Sequence, residues 1–235
     1  MPRPIVQTPA HVRRWRAGRN GRRIQVVVLH STDIDGVALD RQYQWYIGRL
    51  AIAPAAHQEP KAPHFVVDLN GDTAQCVGLG NTAYHAGVSQ WAPGGVGWMR
   101  DGRACIGPPP HLRPSVNCIS LGIEMVHMDQ RDAAWPDDQV RQVAYILGLL
   151  SLYTRQVPPG RVSFDILDWE AVDGSSGTVV SHESVARQAG ILRPAAQGRD
   201  DPLGFPWRRL AQFYDEEWEQ LRQQDPGIAS RLLAD

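Results

Sequence analysis

Two histidines, an acidic pair and a lone glutamate are the residues whose types and positions could do chemistry in this chain. His30 closes the apolar run IQVVVLH, and His182 closes the short run TVVSH. Residues at strand ends of an open α/β sheet project into the crevice where ligands bind. Taken singly, each histidine is ordinary structural material. A third feature changes that reading, because Asp200 and Asp201 stand directly ahead of Pro202. Two imidazoles and one carboxylate leave a fourth tetrahedral position for water, as a catalytic zinc site needs, whereas a purely structural zinc is closed by four protein ligands. Glu124 lies inside the apolar run ISLGIEMV. A carboxylate buried without a partner is costly, so Glu124 either faces solvent at a strand edge or points into a functional cleft. Beside an activated water it would make a general base, its pKa set by desolvation against the metal's charge.

The elements that must position these residues follow from hydrophobic pattern. Residues 24–30 form a continuous β-branched run, which reads as a strand buried on both faces. Residues 38–50 carry Leu39, Tyr43, Tyr46 and Leu50 at three- and four-residue spacing, the pattern of a helix. HFVVDL at 64–69 and residues 73–78 read as two strands joined by Asn70-Gly71, a strong hairpin signal. Residues 119–126 read as a further central strand and 178–181 as a short one. Residues 137–155 form the clearest helix, opened by Pro136 and two aspartates, with Val140, Val143, Ala144, Leu147 and Leu150 on one face. Residues 207–223 read as a terminal amphipathic helix. The stretch 91–114, rich in Gly and Pro, reads as a long irregular loop. Strands separated by helices, plus one hairpin, give an α/β fold: one domain with a central mixed β-sheet flanked by helices.

Composition excludes several classes. The 235 residues carry a formal net charge of −1, so no overall field draws nucleic acid or anionic lipid. No apolar run is long enough to insert into a membrane. Arg13, Arg14, Arg16, Arg19, Arg22 and Arg23 cluster near the start and read as a solvated arm, with polyanion binding as the alternative. The opening MPRPIVQTPAHVRRW shows no apolar signal-peptide core. Cys76, Cys105 and Cys118 form no CxxC pair; buried thiols are the default, and whether Cys105 and Cys118 pair stays open. A chain of this length buries a full core unaided, so a bound metal would be there for chemistry.

The ordered blocks VVVLHST, HFVVDLNGD, NTAYHAG, NCISLGIEM, VVSH and GRDDP, followed by FPW, resemble the zinc-dependent N-acetylmuramoyl-L-alanine amidases, a family that shares its fold with peptidoglycan recognition proteins and many phage lysins. The similarity runs from about Arg22 to Trp207, and it rests on six blocks in the family's order rather than on any one of them. It implies a Zn2+ cofactor held by His30, His182 and Asp201, with Glu124 as catalytic base. Arg199 stands where the family usually has lysine, and the resemblance assigns it to the developing oxyanion. Tyr84, His85, Asn117, His64 and Trp91 are the residues expected at the substrate groove. The Asp-Pro step favours Asp201 over Asp200 as ligand. Two segments, 91–114 and 187–197, look longer than the family's equivalents. His127, three residues after Glu124, reads as structural or as a neighbour of the site.

The resemblance divides the chain into a basic arm (1–21), a catalytic domain (22–225) and a tail (226–235). The implied reaction cuts the amide between N-acetylmuramic acid and L-alanine, with peptidoglycan or muropeptide as substrate. Without an export signal, the protein is expected to be made in the cytoplasm and to act in the periplasm or on the cell wall after release or secretion. It would then be a lysin-like lytic enzyme or a secreted antibacterial effector, the latter with an immunity or secretion partner. The alternatives are a cytoplasmic enzyme recycling anhydro-muropeptides and, of another class, a non-catalytic peptidoglycan-binding module.

Overall fold

The computed structural model describes residues 2–19, 24, 26–32, 38–55, 61–86, 116–127, 134–156, 179–182, 185, 202–224 and 227–233. Among the described residues, six strands form the central sheet: β1 (Ile5–Gln7), β3 (Val26–Ser31), β4 (Phe65–Val67), β5 (Thr73–Gln75), β7 (Ser120–Met125) and β8 (Val179–Ser181). Their order across the sheet is β1-β5-β4-β7-β3-β8. Among these six strands β4 and β5 pair antiparallel, and the other neighbours are parallel. β2 (Trp15–Arg16) and β6 (Thr82–Ala83) form a small separate antiparallel pair. The expected mixed sheet flanked by helices is the fold observed.

β3 sits between two parallel neighbours and all six of its residues are buried, as its apolar run of three valines and a leucine leads one to expect. Its side chains alternate between two different environments. Val27 and Leu29 join Phe65, Val67, Leu121, Ile123, Met125 and Val179 in the main core. That core is covered by α3 (Asp137–Gln156), α4 (Trp207–Leu221) and α5 (Ile228–Leu232). Val26 and Val28 face the other way, against Ala86, Val116, Cys118, Ile119 and Val180. α1 (Leu39–Ala51) contributes Tyr43 and Leu50 to a third cluster, with Val66 and Ala74. The short helix α2 (Val116–Ile119) runs directly into β7.

The hairpin between β4 and β5 closes as its sequence predicts. Gly71 has φ +85°, and Asn70 turns its side-chain oxygen back to accept from the Asp72 N–H at 2.9 Å.

The N-terminal arginines divide. Arg13 is exposed, but Arg14 and Arg19 are buried, so the solvated-arm expectation fails for these two. Arg14 donates to the carbonyls of Arg49, Ile52 and Lys61, closing the C-terminal end of α1 where no glycine caps it. Arg19 donates to the carbonyls of Leu79, Cys118 and Ser120. A guanidinium with five donors tolerates burial when backbone oxygens surround it. β1 extends the same segment along β5, with Thr8 N–H and Ala10 N–H continuing the ladder to Gln75 and Cys76. At the other end, α5 places Ala229 in the main core, and Leu233, the residue that ends it, joins the same core. Residues expected to be an arm and a tail therefore contribute to the packed body.

Candidate active site at the carboxyl ends of three parallel strands

The register of the sheet assembles the site. His30 on β3 lies opposite Glu124 on β7, and on the other side Leu29 pairs with Ser181 of β8. One step further along, His182 follows Ser181 at the level of His30. Glu124, His30 and His182 thus form one tier at the carboxyl ends of three adjacent parallel strands, where open α/β sheets place ligands. The rings of His30 and His182 stand 4.5 Å apart, centroid to centroid. His30 is buried, while Glu124 and His182 are partly exposed at the rim.

Below the tier lies a bed of buried polar side chains on the same face. His85 packs edge-on to His30, with His30 Nε2 and His85 Nδ1 2.9 Å apart. The far nitrogen of His85 lies 2.9 Å from Ser120 Oγ. His64 is fully buried; its Nδ1 accepts from the Gly122 N–H, and Arg19 Nη2 lies 2.8 Å from its Nε2. Burial, then the charge of Arg19, holds the His64 pKa well below the usual histidine range. Burial does the same to His85, reinforced by His30, His64, His182 and Arg19. Gly122 is required here, because a Cβ would stand 2.5 Å from Cγ of the His85 ring.

Asn117 is buried as well, and its Oδ1 accepts from the N–H groups of both His85 and Ala86. Ala86 in turn accepts at its carbonyl from His182 Nε2, 3.2 Å away. His64, His85 and Asn117 were expected at the substrate groove. They lie instead beneath the tier, with their polar atoms turned to one another and to the backbone, and Tyr84 is the partly exposed member of that set. His127 is buried and stacked on Trp135 at 3.7 Å, and Trp135 Nε1 donates to the Leu203 carbonyl. It belongs to the wall beside the segment following Pro202.

The structure brings together His30, His182 and Glu124. Asp201, Arg199, Asp200 and Trp91 lie outside the described residues. Among the described residues no group of three metal-binding side chains occurs. The two histidines present fit a metal. In both, Nε2 is engaged by the protein, the kind of contact by which metal-binding imidazoles are oriented. Sequence reasoning missed Ser120, Arg19 and the Ala86 carbonyl. The signal that could have revealed His85 as a buried ring was Gly122, a glycine inside a central strand that marks a close approach. No described helix is long and apolar enough to cross a membrane.

A family model described as N-acetylmuramoyl-L-alanine amidase matches residues 20–202. Among solved structures, a selenomethionine derivative of AmpD is 16% identical with a TM-score of 0.53, covering 89% of this chain and 94% of its own. The hydrolase AmiA of Staphylococcus aureus, solved with its ligand, is 14% identical with a TM-score of 0.53, covering 96% of this chain and 89% of its own. These likenesses establish a shared fold. No curated protein sequence matches the chain significantly.

Proposed function

Because this chain belongs to the N-acetylmuramoyl-L-alanine amidase family, we propose that it hydrolyses the amide joining N-acetylmuramic acid to L-alanine in peptidoglycan, using zinc held by His30, His182 and Asp201. The observation that carries the reading is the tier of Glu124, His30 and His182 at the carboxyl ends of β7, β3 and β8. When bound, zinc supplies a positive charge that polarises the amide carbonyl and lowers the pKa of a water at its open position. Glu124, at the rim and level with His30, accepts the proton of the attacking water and delivers it to the departing nitrogen of L-alanine. Arg199 donates to the oxygen on which charge develops, as a planar fork where a lysine would offer a point charge. Tyr84 and Trp91 contact the substrate from the groove.

The polymeric wall is the proposed target, which makes this a lytic enzyme of the lysin or antibacterial-effector kind. Release of stem peptides from intact sacculi supports that role, whereas activity confined to soluble anhydro-muropeptides assigns the enzyme to recycling. The reaction itself is tested by Glu124→Gln. Turnover is expected to fall about 100- to 10,000-fold, the usual worth of a general acid–base group, with zinc content and melting temperature unchanged. A Glu124→Gln protein that turns over at the wild-type rate removes the glutamate from the mechanism.

A further inference from the structure

We infer that His85 and Ser120 are positioning residues, which fix His30 in the one tautomer that can bind a metal; the inference rests on the zinc site proposed above. The hydrogen-bond direction is set at the far end of the chain of contacts. Ser120 Oγ lies 2.6 Å from the Val116 carbonyl oxygen, a separation that requires the hydroxyl proton between them. With its only proton spent on Val116, Ser120 Oγ meets His85 Nε2 as an acceptor, 2.9 Å away. His85 therefore carries its proton on Nε2 and a lone pair on Nδ1. That lone pair faces His30 Nε2 at 2.9 Å, so His30 is the donor there. A neutral imidazole has one such proton, and the lone pair of His30 falls on Nδ1.

Reversing the direction would put the proton on His30 Nδ1 and leave that ring nothing to offer a cation. The polarity of three buried contacts thus decides whether His30 is a ligand at all. His182 reaches the same state by a shorter route, donating from Nε2 to the Ala86 carbonyl at 3.2 Å. Both contacts come from adjacent residues, 85 and 86, whose N–H groups are held by Asn117 Oδ1 at 3.1 and 2.8 Å. The His85 ring lies directly over Gly122, where any Cβ would collide with it.

The wild-type protein, freed of metal and labelled with nitrogen-15 histidine, tests the direction by two-bond proton–nitrogen spectra. His30 and His85 are expected as Nε2–H tautomers, and Nδ1–H on His30 overturns the proposal. The positioning role is tested by zinc competition with a chelator of known affinity. Ser120→Ala is expected to bind zinc about 10- to 100-fold more weakly, the usual cost of losing an outer partner of a metal-bound histidine, while its zinc-saturated kcat stays near wild type. Ser120→Thr, which keeps the hydroxyl, is expected to retain most of the affinity. A folded Ser120→Ala protein whose zinc affinity lies within about twofold of wild type overturns the role, because that spread is well below the usual cost. A wild-type protein with the stated tautomers that takes up no zinc overturns the zinc reading and the positioning role together, and leaves the tautomer assignment standing.

Discussion

The two faces of the central sheet are made by the same strands and obey different rules. On β3, Val27 and Leu29 enter the apolar core under α3 and α4, whereas His30 points into a bed of hydrogen-bonded polar groups. β7 repeats the split: Leu121, Ile123 and Met125 go one way, and Ser120, Gly122 and Glu124 the other. The apolar face tolerates exchange of one hydrophobe for another of similar volume, because burial is non-directional. The polar face does not, because each donor there has a specific acceptor and an orphaned group is costly. A two-residue period lets one strand give one face wholly to the core, while the other face changes from the apolar Val26 and Val28 to His30 at the strand's carboxyl end.

If that division holds, substitutions on each face should report in different assays. The largest stability effect belongs to the apolar face. Leu147→Ala, at a fully buried position on α3, is expected to cost about 2–5 kcal/mol by denaturant unfolding, with zinc content per folded molecule unchanged. Zinc loss matching the loss of stability would break the division. Gly122→Ala sits on the polar face, over the His85 ring. Its new methyl collides with the His85 ring, so about 1–3 kcal/mol should be lost, this time together with zinc affinity. An unchanged zinc affinity in that variant would mean that the His85 ring yields freely.

A smaller, pH-dependent effect sharpens the comparison. His64 is neutral in the fold, its pKa lowered by burial and by Arg19. The unfolded chain takes up a proton below about pH 6.5 that the folded chain refuses. Its contribution is therefore complete above that pH and is lost as the pH falls below it, at up to about 1.4 kcal/mol per pH unit. Melting temperatures measured between pH 7 and 5 should fall, and His64→Asn should flatten the slope. Equal slopes would show that His64 does not titrate on unfolding.

How far the sequence reveals this molecule depends on the length of each element. β3, α1, α3, α4 and the Asn70-Gly71 hairpin announce themselves through runs or periods of several residues. β1, β2 and β6 span two or three residues and have no period to read; they exist because β5 and one another offer backbone partners. α5 is five residues long and owes its existence to packing through Ala229 and through Leu233 just beyond its end. For the candidate site, residue order pointed to His30, His182 and Glu124, which the structure brings together, because strand ends and a charge in an apolar run are visible locally. Depth was not visible. His85 and Asn117 sit in a segment that looks like a groove lining, and only the fold shows them buried beneath the tier.

The central claim is that His30 and His182 hold a metal on which hydrolysis depends. The direct measurement is release of stem peptide from muropeptide by protein dialysed against a chelator, before and after zinc is restored, with the metal content of each sample determined in parallel. Loss of activity on chelation, recovery at about one zinc per chain, and neither zinc nor activity in His30→Ala are the expected results for a one-metal site of this kind. Undiminished hydrolysis by protein measured to be free of metal would contradict the account.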